Sequence, residues 1–420
     1  MDFKLTDRLD EFGITRLADT TGLDTLGIPT ASATLPLTTD VIWVYSGKGL
    51  TKENAQNCAI MEALERTSAL WPTDSKKNDE ILWLTENQMV ETYGDNNVLK
   101  LRYHTEVPPQ KNDSDAVVPW ILVDSYRNKN QKTWICADFV FCGSRPDRYR
   151  KIIPPYPVST SNGLGAAVSK EKALSHALLE LAERDIVSMH EIAASHGGIN
   201  LLASIADQAK ISKDLIISNY KDHYKDIVYV DIETLELPEI LRSSIKKLNN
   251  INIFALPNDF NIPCFVATAE QQVKLGTYQR CQGAAASYDS HTALVKSLLE
   301  LAQTRATDFQ GAREDRTDEE KKRYNSNQKS MWIDIDTGKP VPWEAINKNA
   351  NFVELEKIDD IVNRFADVGL DKIFVKWFNN YKDVWSVRVI VPGIETWHAT
   401  GGEGNWGPRA RIKLGDKNKW

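Results

Sequence analysis

The sequence contains few cysteines, and none of them are spaced to act together. Its 420 residues include only Cys58, Cys136, Cys142, Cys264 and Cys281, with no CxxC pair and an odd total. A disulfide framework or a cysteine-based zinc site is therefore not expected. We expect free, mostly buried thiols in a protein of a reducing compartment.

Long apolar runs and long basic runs are also missing. No stretch reaches the roughly 18 apolar residues of a membrane span, and the charged start MDFKLTDRLDEFG has no signal-peptide core. The 51 Lys and Arg residues are balanced by 58 Asp and Glu residues, for a net charge of −7. This composition favours neither a nucleic acid nor a membrane as partner. We therefore expect a cytoplasmic protein.

Several well-known catalytic motifs are absent as well. The sequence has no GxxxxGK[ST] phosphate-binding loop, no GxSxG nucleophile elbow and no HExxH zinc motif, and SNGLGAA (161–167) lacks the GxGxxG spacing of a dinucleotide site. The glycine-rich segments YSGKG (45–49) and SNGLGAA (161–167) are weak signals when taken alone, because glycine turns are common.

What the sequence does contain is one helical pattern three times. The segments are AIMEALER (59–66), ALLELAERD (177–185) and SLLELAQTR (297–305). Positions i and i+3 share a helix face, so polar pairs project together from an otherwise apolar surface. The three pairs are Glu62 with Glu65, Glu180 with Glu183, and Glu300 with Gln303.

Carboxylates in apolar surroundings are costly unless they are paired or bind a metal. One interpretation is that Arg66, Arg184 and Arg305 neutralise the acids of their own helices. The other is that the acids gather around Mg²⁺, which prefers hard oxygen ligands and often shares them with nucleotide phosphates. His176 lies one turn before Glu180 and faces the same side; a hydrogen-bonded, half-buried histidine is the simpler interpretation.

Each of these helices follows a predicted strand and a loop of small residues. Gly49, Gly165 and Gly283 precede Glu62, Glu180 and Glu300 by 13, 15 and 17 residues. The spacing is not constant, as it would be in a solenoid repeat. It predicts three equivalent elements that converge on one place, where Lys48 would add a positive charge beside the phosphates.

Periodicity predicts a mixed α/β chain. Helices are expected at about 51–70, 170–195, 237–248, 291–308 and 355–368. Strands are expected within 28–45 and near 99–104, 118–125, 133–141, 227–233, 251–256, 263–272, 372–378 and 384–391. The charged stretch 311–329 is interpreted as a solvated helix or a lid.

Taken together and in order, these segments resemble the signature segments of the YcaO family. The matching stretches are YSGKGLT with AIMEALER, STSNGLGAAVSKEKALSHALLELAERD, and HTALVKSLLELAQTR with QGARED. GITRLADTTGLDTLGIPTASA (13–33) and VPGIETW (391–397) are also similar to that family. The resemblance covers roughly residues 13–315 and 372–411.

The resemblance implies an α/β (α+β) YcaO fold, with mixed sheets and helices around a central ATP-binding cleft. It implies one YcaO domain over 1–420, with lobes at about 13–150, 151–315 and 330–420. It also implies ATP and Mg²⁺ as cofactors. YcaO proteins use them to phosphorylate a peptide-backbone amide oxygen, after which a nucleophile adds to the amide carbon. A Cys, Ser or Thr side chain gives an azoline, sulfide gives a thioamide, and an amine gives an amidine.

The N-terminal segment is most similar to the subgroup that works with a TfuA partner. That subgroup includes the methanogenesis marker protein that thioamidates a glycine of methyl-coenzyme M reductase. Azoline-forming members usually end in a Pro-rich segment, whereas this chain ends IKLGDKNKW and shows no fused peptide-docking domain. We therefore expect a thioamide-forming enzyme that acts on a peptide or protein with a TfuA-like sulfur-handling partner, as a homodimer.

Residue roles are implied position by position. The Mg²⁺- and nucleotide-binding acids match Glu62, Glu65, Glu180 and Glu183. The remaining nucleotide positions match Ser46, Lys48, Arg184, Glu300, Gln303, Arg305, Arg313 and Glu314. Cys58 stands where a serine is common in the family. The catalytic group implied is Glu62, Glu65, Glu180, Glu183 and Arg184.

Two other readings stay open. An azoline cyclodehydratase or a macroamidine-forming member would share the same ATP site and differ in its product. A non-catalytic nucleotide- or peptide-binding YcaO protein would consume no ATP, although the complete set of four glutamates argues against it.

Overall fold

The structure is a computed structural model. It describes residues 4–72, 80–104, 115–145, 160–196, 227–248, 250–272, 278–310, 338–378, 380–396, 407 and 409–410. Two predicted nucleotide-site residues, Arg313 and Glu314, lie outside the described residues, as does the charged stretch 311–329.

Eight α-helices are present in the described parts of the chain. In chain order they are α1 (Leu9–Phe12), α2 (Lys52–Ser68), α3 (Glu86–Tyr93), α4 (Lys170–His196), α5 (Glu239–Ile245), α6 (Ser290–Gln310), α7 (Ile346–Asn349) and α8 (Ile358–Asp367). The start of α2 is fixed by Thr51, whose side chain accepts a hydrogen bond from the Asn54 amide. No helix among the described residues is long and apolar enough to cross a membrane.

The described strands form three sheets. The strands are β1 (Arg16–Asp19), β2 (Thr30–Thr34), β3 (Val44–Lys48), β4 (Leu82–Thr85), β5 (Val117–Ser125), β6 (Lys132–Cys136), β7 (Leu164–Ala167), β8 (Val228–Tyr229), β9 (Asn250–Ala255), β10 (Cys264–Gln272), β11 (Tyr278–Ala286), β12 (Phe374–Phe378) and β13 (Trp385–Ile390). Their orders are β1-β2-β3, β11-β10-β9-β8 and β4-β5-β12-β13-β7, with β6 paired to β5. The pairings between these strands are antiparallel.

The six-stranded sheet combines distant parts of the sequence. It takes β4, β5 and β6 from residues 82–136, β7 from 164–167, and β12 and β13 from 374–390. Strands from the first half of the sequence and strands from its last fifty residues therefore share one sheet.

The central four-stranded sheet packs helices on both faces. Side chains alternate between the faces of a strand, and in β10 Val266 faces the core around α4 whereas Phe265 and Ala267 face the core around α6. The α4 helix lies between this sheet and the six-stranded sheet, because its core also includes Val387 and Val389 of β13. The α2 helix packs on the three-stranded sheet.

The mixed α/β class predicted from periodicity is confirmed, and the helices at 51–70, 170–195 and 291–308 correspond to α2, α4 and α6. One predicted strand is wrong: residues 99–104 contain a short 3₁₀ turn at Leu101–Tyr103. A strand and a helix at 82–93 were not predicted. The helix is marked by a capping box between Thr85 and Gln88.

Candidate active site

The three acidic helices each follow a strand at the edge of a different sheet. These strands are β3, β7 and β11, and the helices that follow are α2, α4 and α6. The prediction of small-residue loops at these places is therefore wrong in part, because the segments 45–48, 164–167 and 279–286 are strands. Small residues suit strands here because a helix packs directly on them.

One glycine in each strand shows how close that packing is. A Cβ atom on Gly47, Gly165 or Gly283 would lie 2.2 Å from a helix carbonyl oxygen, that of Ala55, Ala173 or Ser297 respectively. No side chain fits at such a distance. The glycines thus allow each helix to approach its strand.

The three strand–helix units are arranged in a cycle. Each helix packs on its own strand and also on the edge strand of another unit: α2 contacts β7, α4 contacts β11, and α6 contacts β3. The sequence prediction that three elements converge on one place agrees with this geometry. Glu65 of α2 and both Glu300 and Gln303 of α6 reach the neighbouring unit.

Two of these contacts are hydrogen bonds between a helix side chain and the backbone of the neighbouring unit's strand. The Ala166 amide of β7 donates to Glu65 Oε2 at 3.0 Å, and Gln303 Nε2 donates to the Ser46 carbonyl oxygen of β3 at 2.6 Å. Thr307 Oγ1 also lies 3.1 Å from Ser46 Oγ. Ser46 is therefore held by α6, and Glu65 is held against β7.

Glu180 and Glu183 of α4 share one cationic partner among the ion pairs of the described residues. Arg184 lies 3.2 Å from Glu183 Oε1 and 3.5 Å from Glu180 Oε1. Glu180 Oε2 is buried and has no hydrogen-bond partner. Glu62, Glu65, Glu180 and Glu183, called the acid set below, are thus only partly neutralised.

The other two local arginines do not pair with the acids of their own helices. Arg66 forms two hydrogen bonds to Asp40, at 2.8 and 2.9 Å. Arg305 forms two to Asp24, both at 2.8 Å. The interpretation that local arginines neutralise the helix acids therefore holds only for Arg184. Arg305, which the resemblance places at the nucleotide, is fully buried against Asp24.

Mutual repulsion between the acids contributes to raised pKa values. Burial, followed by the charges of Glu62 and Glu180, raises the pKa of Glu65 well above its usual range. Burial, with repulsion from Glu183 and Glu62, also raises the pKa of Glu180 to about 7, although Arg184 opposes this change. Carboxylates on α2 and α4 thus lie close enough to destabilise one another's charged forms. A cation placed between these helices would remove that cost.

Lys48 adds a positive charge near the acid set. Lys48 of β3 forms an ion pair with Glu300 of α6. Burial lowers the pKa of Lys48, while Glu183 and Glu62 act in the opposite direction. Lys48 therefore lies within the electrostatic reach of acids on both α2 and α4. The structure brings Lys48, the acid set, Arg184, Glu300 and Gln303 together.

Two further side chains belong to this neighbourhood. His176 Nε2 lies 3.9 Å from Glu65 Oε2, and its side chain is 56% exposed. Desolvation by the surrounding protein, and then the charges of Lys296, Lys48 and Arg184, lower the pKa of His176. Lys296 was not predicted. Its signal in the sequence is its place one helical turn before Glu300, as His176 precedes Glu180.

A separate cavity does not coincide with this site. It has a volume of about 40 Å³ and is lined by residues that include His104, Phe139 and Leu181. Such a volume holds a few water-sized molecules and is far smaller than a nucleotide. The acids and cations between α2, α4 and α6 therefore remain the candidate active site.

A sequence model of one family matches most of the chain. The model is described as YcaO cyclodehydratase, ATP- and Mg²⁺-binding, and it matches residues 46–395. The chain belongs to the YcaO family. ATP and Mg²⁺, the ligands of the family's description, are its cofactors.

Curated relatives of this YcaO chain include proteins of archaea and bacteria. An uncharacterised protein of Methanothermobacter thermautotrophicus is 25% identical over 402 residues, which cover 93% of this chain and 91% of the relative. A protein of Rhizobium leguminosarum bv. trifolii, described as an uncharacterised protein in the tfuA 3′ region, is 26% identical over 92% of this chain and 85% of the relative. The second relative agrees with the resemblance to the TfuA-associated subgroup.

Solved structures with the same fold include YcaO proteins and heterocyclases. A YcaO from Methanopyrus kandleri bound with AMPPCP and Mg²⁺ superposes with a TM-score of 0.61 and 20% identity, over 96% of this chain and 92% of that one. A heterocyclase in complex with substrate and cofactor gives a TM-score of 0.68 and 15% identity, over 98% of this chain and 55% of that one. At these identities the likeness establishes the fold.

The donor set of this YcaO chain fits Mg²⁺. Mg²⁺ keeps several waters and is usually held by one or two carboxylates together with substrate phosphates. The acid set supplies the carboxylates, and Glu180 Oε2 is a buried oxygen without a partner. No three His, Cys, Asp or Glu side chains of the described residues converge closely enough to enclose a metal by themselves. The acid set could hold Mg²⁺ together with phosphate oxygens, which is the usual coordination of this ion in nucleotide sites.

Proposed function

We propose that the chain activates a peptide-backbone amide by ATP-dependent O-phosphorylation and that sulfide then converts the amide to a thioamide. The observation that carries this proposal is the relative from the tfuA 3′ region, which aligns over 92% of the chain. The N-terminal segment 13–29 supports the same subgroup by resemblance. Family membership supports the activation step in either case.

The reaction is a substitution at the amide carbon in two stages. In the first, the amide oxygen attacks the γ-phosphorus of ATP, the bond to the β-phosphate oxygen breaks, and ADP leaves. In the second, hydrosulfide adds to the amide carbon, and the original oxygen leaves as inorganic phosphate. Phosphorylation is needed because an amide oxygen is a poor leaving group.

The chain's own residues serve the first stage by placing charge. We assign Glu62, Glu65, Glu180 and Glu183 to the Mg²⁺–nucleotide complex, and bound Mg²⁺ neutralises charge that develops on the transferring phosphoryl group. Arg184 pairs with Glu180 and Glu183, and Lys48 lies within electrostatic reach of Glu183 and Glu62. When nucleotide is bound, each of them exchanges a carboxylate partner for phosphate oxygens, which is the usual role of Lys and Arg in phosphoryl transfer.

The remaining assignments follow from the contacts. The hydrogen bond between Gln303 and Ser46 joins α6 to β3 at one edge of the site. The ion pair with Glu300 positions Lys48. We propose that Arg305 does not contact the nucleotide and that it supports the site by anchoring α6 to Asp24. Arg313 and Glu314 stay predictions of the resemblance. So do a TfuA-like protein as sulfur-handling partner and a homodimeric state.

The test is mass spectrometry of a candidate peptide incubated with the protein, ATP, Mg²⁺, sulfide and the TfuA-like partner. Exchange of oxygen for sulfur adds about 16 Da, and the gain should require both ATP and sulfide. A peptide labelled with ¹⁸O at the amide should transfer its label to inorganic phosphate. Labelled phosphate without the mass gain would support activation while rejecting sulfide as the nucleophile.

A cyclodehydratase is the second candidate, because the matching family model carries that name. Here a Cys, Ser or Thr side chain of the peptide attacks the activated carbon. The same assay then shows a loss of about 18 Da, the mass of one water, without added sulfide. Labelled phosphate appears in both cases, so the mass change alone separates the two products.

A further inference from the structure

Arg388 of β13 is a buried cation with an unusual set of partners. It is 2% exposed, and its guanidinium donates to the carbonyl oxygens of Val140 at 3.2 Å, Thr160 at 2.8 Å and Asn162. A fourth contact joins Nη2 to Cys142 Sγ at 3.1 Å. No ion pair of the described residues includes Arg388. A buried charge is costly unless it is well compensated, so this arrangement requires a reason.

The carbonyl partners lie at the entrance to β7. Thr160 and Asn162 lead directly into that strand, and Leu164 is opposite Arg388 in the pairing of β13 with β7. The neighbouring Val389 amide also donates to the Gly163 carbonyl oxygen at 2.7 Å. Arg388 and its strand therefore hold the chain on both sides of Gly163.

Two residues further along β7, Ala166 binds Glu65 of the acid set through its amide. Cys142, the fourth partner of Arg388, links this region to α2. Its amide donates a hydrogen bond to the carbonyl oxygen of Ala69, the residue that follows α2. Arg388 thus contacts the segment that leads into β7 directly, and it is connected to the end of α2 through Cys142.

The charge of Arg388 also reaches the acid set. Its positive field opposes the effect of burial on the Glu180 pKa, as that of Arg184 does. The guanidinium therefore lies within electrostatic reach of Glu180 on α4.

We propose that Arg388 is a positioning residue for the Mg²⁺–nucleotide site. It binds three backbone carbonyls at once and so fixes the entrance of β7, which in turn fixes the Ala166 amide and the carboxylate of Glu65. A lysine cannot replace it, because one ammonium group lacks the planar, forked donors that reach several fixed acceptors. The inference rests on the assignment of the acid set to that site and is independent of the nucleophile.

The test is calorimetric binding of AMPPCP with Mg²⁺ to the purified full chain, without peptide or partner. Arg388→Lys and Arg388→Met should both weaken nucleotide affinity about 10-fold or more, the range seen when residues that support metal ligands are lost. The required Mg²⁺ concentration should rise in parallel. Wild-type affinity in Arg388→Lys would overturn the proposal.

Arg145→Lys is the matched control. Arg145 is also a 2% exposed arginine, but it pairs with Asp138 and lies over the rings of Trp71 and Trp83. Its replacement should lower thermal stability and leave nucleotide affinity unchanged. An equal loss of affinity in the control would reduce the Arg388 effect to general destabilisation and contradict the proposal.

A double-mutant cycle with Glu65→Gln distinguishes positioning from instability. If Arg388 acts through Glu65, Arg388→Lys should weaken binding much less in the Glu65→Gln background than in the wild type. Strict additivity of the two losses would show that Arg388 acts elsewhere. Failure of the thioamide assay would leave these binding measurements unaffected.

Discussion

The guanidinium of Arg305 is bound to the carboxylate of Asp24 by two hydrogen bonds of 2.8 Å, although 281 residues separate them. Arg305 has no exposed surface, and the Asp24 side chain is 6% exposed. The pair anchors α6 to the segment that precedes β2. An arginine in an active-site motif is thereby committed to holding the scaffold.

Asp24→Asn should be strongly destabilising because it removes the negative charge that Asp24 places beside a buried guanidinium. We expect a loss of about 3–5 kcal/mol in the free energy of unfolding, measured by urea denaturation. Asp19→Asn is the control. Asp19 pairs with Lys52 at the surface, where ion pairs contribute about 0–1 kcal/mol. Similar losses in the two variants would contradict the structural role of the buried pair.

Glu180→Gln should abolish turnover without loss of stability. Glutamine keeps the shape of the side chain while removing a charge that burial and neighbouring acids disfavour. We expect ATP hydrolysis to fall by about 100-fold or more, as when one preorganised electrostatic group is lost, and thermal stability at pH 8 to stay equal or rise.

Glu53→Gln serves as its control, since Glu53 is exposed in the first turn of the same kind of acidic helix, α2. It should hydrolyse ATP at the wild-type rate. Wild-type turnover in Glu180→Gln would remove Glu180 from the catalytic group.

Gly165→Ala should separate α4 from β7. The added Cβ would lie 2.2 Å from the Ala173 carbonyl oxygen and 3.0 Å from the Ala177 nitrogen, both of them backbone atoms. We expect destabilisation of about 1–3 kcal/mol together with weaker nucleotide binding, followed by urea denaturation and calorimetry. Gly22→Ala meets no atom within 4 Å, so both quantities should be nearly unchanged. A harmless Gly165→Ala would show that close packing is not what requires the glycine.

The stability of the fold should depend on pH through Glu395. Its carboxylate accepts hydrogen bonds from the amides of Gly407 and Ala410, but burial and then the nearby charge of Asp185 raise its pKa from 4.5 to about 7. Between these values the folded chain holds a proton that the unfolded chain has released, so stability falls as the pH rises through this window.

Comparing the wild type with Glu395→Gln isolates this group. Their difference in unfolding free energy should change by up to about 1.4 kcal/mol per pH unit between pH 5 and 7, in the direction that favours the variant at the higher pH. Glu91→Gln, at an exposed position of α3, should show no such trend. A pH-independent difference for Glu395→Gln would mean that Glu395 is ionised throughout.

The local pattern of the site could be predicted from the sequence. Glu62 with Glu65 and Glu180 with Glu183 share helix faces because i and i+3 spacing alone determines it. That the three helices meet could be inferred from their common layout. Lys48 was placed near them correctly, because it precedes α2 by only four residues.

The long-range pairings could not be predicted. No local rule links Arg66 to Asp40 or Arg305 to Asp24, because helix spacing offers only the acids of the same helix as partners. The sequence predicts loops where β7 and β11 lie, because these segments are rich in small residues and glycine and serine are typical of turns. Their use in strands depends on a helix packed above them, which is a tertiary effect that overrides local propensity.

The cyclic contact of α2 with β7, α4 with β11 and α6 with β3 means that no strand–helix unit carries a finished site. The last contact joins α6 to β3, more than 200 residues earlier in the chain. The site is therefore complete only after α6, which ends at Gln310, has been synthesised and has packed on β3. Because only a chain in which the three units have met can bind the nucleotide, the ligand stabilises the assembled arrangement and not its separate parts.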